Sequence, residues 1–597
     1  MAKELPPIPL APERTGVSKR ASKLTLSDRW VDSDKVLFIE GKPEKMLGWE
    51  KLTVTSVDAP IRGILSWTTT LLSQFMVFGT HLKLYVIDTE NDPIDITPIE
   101  ETGTLTDPFT TEIGSATVNV EHTDHGRSVG DQVFFENATA VGGITIDGWY
   151  TVATVVDQNN YTIVHSGTAS STAGPGGGTV DYEYELATGT ASPVEGDGWG
   201  AGGYGLYEYG EPTEDAGVSI IFEPRAWSLV RAGDLVYANP VNSGIFVFDP
   251  NDTPSYQRAE PLTGAPTVCR ALFMTAERFP FALGVDNDPM NIKWPDQDDH
   301  TDWTPTASNT ANSRRLQEGT RLIGGISLGN RISGIWSDTS LYRFQYTGSS
   351  FVYDSQFVAR NCGLVSPMAV VSHMGIAYWM SKHGFHMWGG GAPQYIQGSE
   401  DINEFVVLAL RQNGYEYKCN AYFSQRFNCI FWFYVAAGTE EPGLYVVVSL
   451  DDFSWAVGEL ERTSGGLGFD QRPVLGAADG YLYQHEEGND ADGEIMEAFI
   501  ERAPMRIAQG SVLGEIQMIE TDMQRQTGDV TIEIDMRDRI KEDPIDSETL
   551  TLADDEDIVE PSIGGRIASI IIRSAELGGD FRIGTPLMTV VATGKQR

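Results

Sequence analysis

The chain has 597 residues, of which 84 are acidic and 42 are basic, so its formal net charge is −42 at pH 7. This length exceeds what one hydrophobic core supports, and we expect several domains or a large repeat architecture. The acidic balance and the lack of a dense Lys/Arg cluster argue against a protein that grips duplex DNA. With 63 glycines, 30 prolines and little helical periodicity, the composition predicts a mostly β fold.

The N-terminal segment, MAKELPPIPLAPERTG, is polar and rich in proline. It has no apolar signal-peptide core, and no window of the chain reaches 18 apolar residues. We therefore expect an extended arm over residues 1–30, no secretion signal and no membrane-spanning segment. The cysteines show no metal-ligand spacing and predict a reduced compartment; they are Cys269, Cys362, Cys419 and Cys429.

One pattern recurs along the chain: an apolar strand, a polar turn and a second strand that carries an aromatic residue. IRGILSWTTTLLSQFMVFGTHLKLYVID begins at Ile61, and IGGISLGNRISGIWSDTSLYRFQY repeats the order from Ile323. The aromatics are separated by 161, 48, 48, 43, 60 and 36 residues; they are Tyr85, Phe246, Trp294, Tyr342, Phe385, Tyr445 and Tyr481. Intervals of about 40–50 residues are typical of four-stranded propeller blades. We predict an irregular β-propeller over residues 31–103 and 214–490, with a string of β-sandwiches as the alternative.

The first interval is too long for one blade because a segment of different character lies within it. Residues 115–168 alternate apolar and polar positions, with hairpin turns at Asp147-Gly148 and Gln158-Asn159-Asn160. We predict an inserted β-domain with Gly-rich loops over residues 104–213. Its tract GDGWGAGGYGLYEYGEP, residues 196–212, is a flexible linker or a docking or constriction loop. The aromatics that favour docking are Trp199, Tyr204, Tyr207, Tyr209 and the nearby Phe222.

The repeat stops near residue 490, and a different set of strand patterns follows. DVTIEIDMRD, residues 529–538, alternates apolar and polar positions as a half-buried strand does. GRIASIIIRSAE and DFRIGTPLMTVVA come after the acidic connection ADDEDIVE. We predict a C-terminal β module over residues 491–597.

Three tryptophans lie in blade phrases beside apolar neighbours. They are Trp49, Trp294 and Trp379. A tryptophan among apolar strand residues is more often a core residue than a ligand contact. We predict that all three are packed inside their blades.

The sequence contains no complete catalytic or metal-binding motif. His383 and His386 are three apart, which places them on opposite faces of a strand. NDADGEI, residues 489–495, departs from the order of an EF-hand loop. WPDQDDHTDW could hold a cation but is more typical of a solvated blade corner; its polar residues are Asp296, Asp298, Asp299, His300 and Asp302. We expect no catalytic residues, cofactor or metal, and no enzyme activity.

Several phrases, in this order, resemble the tail nozzle family of short-tailed bacteriophages, also called tail hub or tail tubular protein B, which includes packaged-DNA stabilisation proteins. Together they cover most of the chain except residues 115–168. The phrases are VLFIEGKPEKMLGWEKL (36–52), the Gly-aromatic tract (196–210), NIKWPDQDDHTDWTP (291–305), NCGLVSPMAVVSHMGIAYWMSKHGFHMWGGG (361–391) and DFRIGTPLMTVV (580–591).

The resemblance implies a structural virion protein, made in the host cytoplasm, that forms a homohexameric ring at the distal end of the tail. Such a ring would contact the tail adaptor protein and the tail fibres or spikes. It would retain packaged genomic DNA and conduct it during ejection without tight binding. An acidic wall fits that role, because it repels phosphate within a Debye length of about 8 Å.

Two other classes of function remain open from the sequence. A receptor-binding tail adhesin would use the inserted domain and the Gly-aromatic tract as its binding surface. A propeller-type glycan hydrolase is the other, although the chain lacks a Ser-x-Asp-x-Gly-x-x-Trp box.

Overall fold

The computed structural model describes residues 3–20, 28–90, 92–196, 220–251, 258–297, 299–349, 351–507, 512–539 and 542–595. Within these ranges the elements are almost all antiparallel β-strands. The helical elements described are the α-helix Asn403–Ala409 and the 3-10 helices Ser399–Asp401 and Tyr415–Lys418. None of them is long and apolar enough to cross a membrane. The chain divides into two compact units, which are Met1–Ser66 with Thr275–Glu277 and Leu316–Arg597, and Trp67–Met274 with Arg278–Arg315.

Three sheets that lie mainly in the second unit are four-stranded meanders, since each strand pairs with the next one in sequence. We call them blades one to three, in chain order. Blade one contains Ile64–Thr68, Gln74–Gly79, Leu84–Ile87 and Ile94–Asp95. Blade two contains Trp227–Ala232, Leu235–Pro240, Phe246–Phe248 and Glu260–Pro261. Blade three contains Ala271–Met274, Pro280–Leu283, Asn291–Trp294 and Asn312–Arg315.

The first unit holds four more sheets of the same kind, blades four to seven. Blade four contains Leu322–Gly329, Ile332–Ser337, Ser340–Tyr346 and Tyr353–Arg360. Blade five contains Val370–His373, Ile376–Ser381, Gly384–Trp388 and Gln394–Tyr395. Blade six contains Asn420–Ser424, Cys429–Tyr434, Leu444–Ser449 and Trp455–Glu459. Blade seven contains Ser464–Leu467, Pro473–Gly476 and Leu482–His485, and its fourth strand is the N-terminal Trp49–Lys51.

The packing of these sheets is that of propeller blades. From blade four to blade seven, the first strand of each blade packs against the first strand of the next. Covered on both faces, the second strand of blade six, Cys429–Tyr434, is buried throughout. Six of the seven tracked aromatics lie in the third strand of a blade, and Tyr481 directly precedes one. The predicted fold class, mostly β with an irregular β-propeller, an inserted β-domain and a C-terminal β module, is confirmed.

The inserted domain is built from two sheets with one shared core. The core includes Phe109, Phe135 and Tyr161. One sheet has the order Ile99–Thr106, Thr179–Glu185, Gln132–Glu136, Gly148–Thr151. The other has the order Thr154–Asp157, Asn160–Val164, Thr117–Glu121, Phe109–Thr111, Ala173–Gly176. The strands Val194–Gly196 and Ile220–Phe222 pair with each other, and most of the Gly-aromatic tract between them lies outside the described residues.

Three sheets combine C-terminal strands with strands from the N-terminal segment. The first has the order Trp30–Asp34, Ala498–Arg506, Ile567–Ser574, Val530–Arg537, Asp546–Leu552. The second has the order Val36–Ile39, Lys42–Lys45, Asp580–Ile583, Met523–Thr527. The third has the order Lys3–Glu4, Leu587–Lys595, Val512–Glu520, Ile558–Val559, with Ile8–Pro9 and Ile563–Gly565 at its sides.

The N-terminal segment therefore differs from the sequence-based expectation. The sequence pattern places residues 31–103 in the propeller, yet the strands at residues 30–45 belong to the C-terminal sheets, and only Trp49–Lys51 of this region enters a blade before residue 64. The predicted arm is docked as well, since the Val17 N–H donates to the Trp455 carbonyl at 2.7 Å. Alternation specifies that a segment is a strand but does not specify its partner. The domain boundaries drawn from the sequence stay predictions.

Candidate functional site

The acidic turn of residues 294–303 is a hydrogen-bonded corner of blade three. One carboxylate oxygen of Asp296 accepts hydrogen bonds from the backbone N–H of Thr310, at 2.7 Å, and from its hydroxyl, at 2.5 Å. Asp299 accepts from the backbone N–H and hydroxyl of Thr301 in the same way. Asp298 lies outside the described residues. The carboxylates described here hold the turn, as a blade corner requires.

Both ring nitrogens of His300, in the same turn, lie within hydrogen-bond distance of neighbouring residues. Its Nδ1 lies 2.9 Å from the Tyr237 hydroxyl, and its Nε2 lies 3.0 Å from the carbonyl oxygen of Arg278. Burial lowers the pKa of His300 below its ordinary value. A neutral imidazole with both nitrogens engaged is a packing element and has no free nitrogen for a ligand.

His383 and His386 do not face each other. His383 is exposed in a turn, whereas His386 is buried, with its ring stacked on Trp379 at 5.3 Å between centroids. Burial lowers the pKa of His386 to about 4. In the part of the chain that the structure describes, no group of three or more His, Cys, Asp or Glu side chains is placed to hold a metal.

The loop NDADGEI fastens the N-terminal strand to blade seven. The Trp49 N–H donates to the Asp490 carbonyl at 3.1 Å, and the Lys51 ammonium pairs with the Asp492 carboxylate at 2.9 Å. A side chain at Gly48 would collide with the backbone of Asp490. This loop, although similar in sequence to a calcium loop, is therefore a turn that holds the strand Trp49–Lys51 on blade seven.

A buried ion cluster that the sequence does not reveal lies beside blade six. Arg62 and Lys418 share one carboxylate oxygen of Glu441, each at 2.6 Å. The Nε and Nη1 of Arg62 and the second oxygen of Glu441 have no partner among the described residues. Burial lowers the pKa of both cations. Arg62 and Lys418 both lie in the first unit, where the shared carboxylate of Glu441 joins the segments that contain them.

The position of these cations relative to the blade strands is a pattern that can be recognised in the sequence. In four blades a buried basic residue stands two positions before the first strand. These residues are Arg62, Arg225, Lys418 and Arg462. Burial lowers the pKa of Arg225 and of Arg462 to about 10. The position two residues before the first strand therefore carries a buried cation in blades one, two, six and seven.

The inserted domain presents an open groove of about 540 Å³ beside the edge strand Gly148–Thr151. Trp149 projects from the outer face of that strand and is 39% exposed. The remaining lining residues are Asp147, Tyr150, Thr151, Ala153, Val164 and Ser166. The groove thus combines aromatic rings with hydroxyls and one carboxylate, the mixture that small polar ligands with apolar faces require.

The ring of Trp149 is held in place from one side. The Arg258 guanidinium carbon lies 4.5 Å from the centroid of that ring. Arg258 is itself fixed by Glu185 at 2.6 Å and by Asp95 at 3.4 Å. Phe134 packs at 5.3 Å in a tilted arrangement. The exposed indole is therefore a preorganised surface.

The four cysteines are free and buried. Burial raises the pKa of their thiols, to about 12 for Cys269 and Cys419 and to about 11 for Cys362. Thiols in this state are inert apolar side chains and not nucleophiles.

No protein-family model matches the chain, and no curated protein is significantly similar to it. Among solved structures, PorZ, a surface component of the type-IX secretion system of Porphyromonas gingivalis, is 9% identical with a TM-score of 0.30, covering 89% of this chain and 82% of PorZ. The WD40 β-propeller domain of Doa1 is 11% identical with a TM-score of 0.22, covering 43% of this chain and 90% of that domain.

The endosialidase of phage phi92 is 12% identical with a TM-score of 0.18, covering 69% of this chain and 63% of the endosialidase. This chain therefore spans less than two thirds of the length of that enzyme. Similarity of this degree does not extend to an activity.

Proposed function

We propose that the chain is a structural protein of a short-tailed phage virion that forms the distal tail tube, or nozzle. The observation that carries the proposal is a meeting of two phrases that resemble the nozzle family. Residues 36–52 and residues 580–591 stand at opposite ends of the chain, yet they pair in one sheet, with Glu44 opposite Arg582. The two phrases at the ends of the chain are therefore neighbours in the fold, and the proposal gives this sheet a role in the nozzle.

Ion pairs between an exposed arginine and two buried carboxylates hold this sheet together. Arg525 binds the carboxylates of Asp580 and of Glu44, the latter at 2.8 Å. The Lys45 ammonium donates to the Gly579 carbonyl at 2.7 Å, and burial lowers the pKa of Lys45 to about 8. Breaking such pairs leaves an uncompensated buried charge, so the N- and C-terminal parts of the chain are locked to each other.

The remaining positions of the first phrase have structural roles of the same kind. Phe38 is buried in the sheet, and Gly41 adopts a positive φ of 76° in the hairpin turn. Gly48 lies against the backbone of Asp490, and Trp49 begins the strand that completes blade seven. Residues 36–52 thus join the C-terminal sheets to the propeller.

The charge of the chain supports a conduit more than a DNA-binding protein. With a net charge of −42 it would repel a polyanion that passes close to its surface. Repulsion over about one Debye length, about 8 Å at physiological salt, keeps DNA moving without adhesion. In this proposal the genome is guided through a ring and is retained by contacts other than tight phosphate binding.

We also propose that the chain is not an enzyme. Most glycoside hydrolases use two carboxyl groups that face a cleft and stay free to transfer protons. Five of the buried carboxyl groups here are instead paired with cations; they are Glu44, Glu185, Glu223, Glu416 and Asp580. An endosialidase among the similar structures makes hydrolysis the activity to test, and we expect no release of reducing ends from oligosaccharides.

Mass photometry of the purified protein tests the nozzle proposal. We expect a closed assembly whose mass is near six times 65.4 kDa. The variant Arg525→Met should lower the amount of assembled protein, because it leaves Asp580 unpaired and removes one of the two cations that bind Glu44. A protein that stays at 65.4 kDa at every concentration, or that forms fibrous trimers, would argue for another function.

A receptor-binding adhesin is the second candidate function, and one observation favours it. The inserted domain carries the groove with the fixed and exposed ring of Trp149. A virion protein can serve as conduit and as adhesin at once, since the groove lies on the insertion and not on a blade.

A further inference from the structure

We infer that the groove on the inserted domain is a binding site for a neutral oligosaccharide. The occupant is a short chain of uncharged sugars, of the kind that covers cell surfaces. The inference rests on the second candidate function only, because assembly into a ring does not require the groove. Three features of the groove carry it: the aromatic surface, the free polar groups and the charge.

The aromatic surface is suited to the apolar face of a sugar ring. Trp149 is exposed, but Arg258 holds its ring from one side, and Glu185 and Asp95 hold Arg258. A ring fixed before binding loses little conformational entropy when a ligand stacks on it.

Free polar groups lie next to this ring. The indole N–H of Trp149 has no hydrogen-bond partner among the described residues, and neither has the hydroxyl of Ser166. One carboxylate oxygen of Asp147 accepts from the Ala138 N–H at 3.1 Å, which leaves the other oxygen available. Donors and acceptors placed around an aromatic ring match sugar hydroxyls, which both donate and accept.

The charge of the groove excludes acidic sugars. Asp147 is the charged side chain of the lining, and the cation nearby, Arg258, is already neutralised by Glu185 and Asp95. A sialic or uronic acid would therefore meet a carboxylate without a free cation to offset it. A neutral sugar meets no such barrier.

A protein strand is the competing occupant, because Gly148–Thr151 lies at the edge of its sheet. Strand addition uses the backbone groups of an edge. This edge has only four residues, and short edges are poor templates for pairing. The fixed indole stands on the face of the sheet, where an added strand would not use it. The groove volume of about 540 Å³ lies within the range of about 300–1,000 Å³ of small-ligand sites.

A glycan array probed with the full-length protein tests the inference. Its neutral arm carries immobilised oligosaccharides of glucose, galactose, mannose and N-acetylglucosamine. Its acidic arm carries sialylated and uronic glycans. We expect retention on at least one neutral glycan and none on the acidic arm. In a titration with that glycan, Trp149→Ala should weaken binding at least tenfold, while Trp149→Phe should keep part of it. Arg258→Met should weaken binding severalfold through loss of the support.

Phe351→Ala is the matched control, because Phe351 is an exposed aromatic residue outside the inserted domain, and it should bind like the wild type. The Trp149→Ala variant should melt at the wild-type temperature, which separates lost binding from lost folding. Absence of binding to every neutral glycan, equal binding by Trp149→Ala, or preference for the acidic arm would overturn the inference. Rings in mass photometry without glycan binding would overturn it and leave the nozzle proposal intact.

Discussion

Buried tryptophans connect neighbouring blades through their indole N–H groups as well as through their rings. Trp379, Trp432 and Trp455 in the first unit each donate to a backbone carbonyl outside their own strand. The acceptors are the carbonyls of Cys362, Ala369 and Gln397. A buried donor of this kind costs free energy if its acceptor is lost, so each tryptophan fixes both the spacing and the orientation of its neighbours.

Replacement of Trp379 by alanine should strongly destabilise the protein. Trp379 is fully buried, its ring lies 5.2 Å from that of Trp336, and its N–H donates to Cys362 at 2.9 Å. We expect a loss of about 3–5 kcal/mol in the free energy of unfolding, measured by chemical denaturation. Phe351→Ala at an exposed aromatic position should change it by less than about 0.5 kcal/mol. Retained stability with a selective loss of binding would mean that Trp379 contacts a ligand instead.

The pH dependence of stability should contain a contribution from His386. Burial lowers the pKa of His386 to about 4 in the folded chain, whereas the ordinary value is 6.5. The unfolded chain therefore takes up the proton first, and stability falls as the pH is lowered from about 6.5 to about 4, by about 3 kcal/mol for this group. Denaturation curves at pH 7 and pH 4.5 should differ less for His386→Phe than for the wild type. An unchanged difference would show that the imidazole is equally accessible in both states.

Within the second unit, the chain enters and leaves the inserted domain at one point. The Leu186 N–H donates to the Pro98 carbonyl at 2.8 Å, and Ile99 pairs with Glu185 in the first ladder of the domain. Ends this close allow an insertion without strain in the host. Its own core of apolar residues is separate from the core that blades two and three share.

Excision of the inserted domain should leave the rest of the protein folded. We expect a variant in which a short Gly-Ser bridge replaces residues 100–184 to be soluble and to melt cooperatively, because Glu185 is kept as the partner of Arg258. Differential scanning calorimetry measures the transition. If this variant aggregates or melts without cooperativity, the domain is a necessary part of the second unit.

The sequence predicted the elements far better than their partners. The spacing of aromatics such as Phe246 and Tyr342 identified the blades because alternation and turn residues act over a few positions. Nothing local shows that Trp30–Asp34 pairs with Ala498–Arg506, since strand pairing across the chain depends on tertiary packing. For the same reason Trp149 was not separated from other surface aromatics: its significance comes from Arg258, which lies more than one hundred residues further along the chain.

At the scale of the whole molecule, the excess of acidic over basic residues is the property with the widest consequence. A propeller does not need a net charge of −42 for solubility. The buried cations before the first strands are paired or enclosed, as Arg62 and Arg462 are, and do not offset this charge at the surface. A protein of this charge should act on DNA by repulsion and confinement.

The purified protein should therefore not bind duplex DNA at about 0.15 M salt. Fluorescence anisotropy of a labelled duplex should remain at its free value there, and lowering the salt should not produce binding, because less screening increases the repulsion. A basic DNA-binding protein under the same conditions is the positive control. Tight binding that weakens steeply with salt would contradict the repulsive wall.

Electron cryomicroscopy of the purified assembly would show whether this chain forms a conduit for DNA. We predict closed rings with an axial channel whose lining is dominated by Asp, Glu, Ser, Thr, Asn and Gln. Monomers or fibrous trimers without an axial opening, or rings with a bore dominated by Lys and Arg, would contradict it.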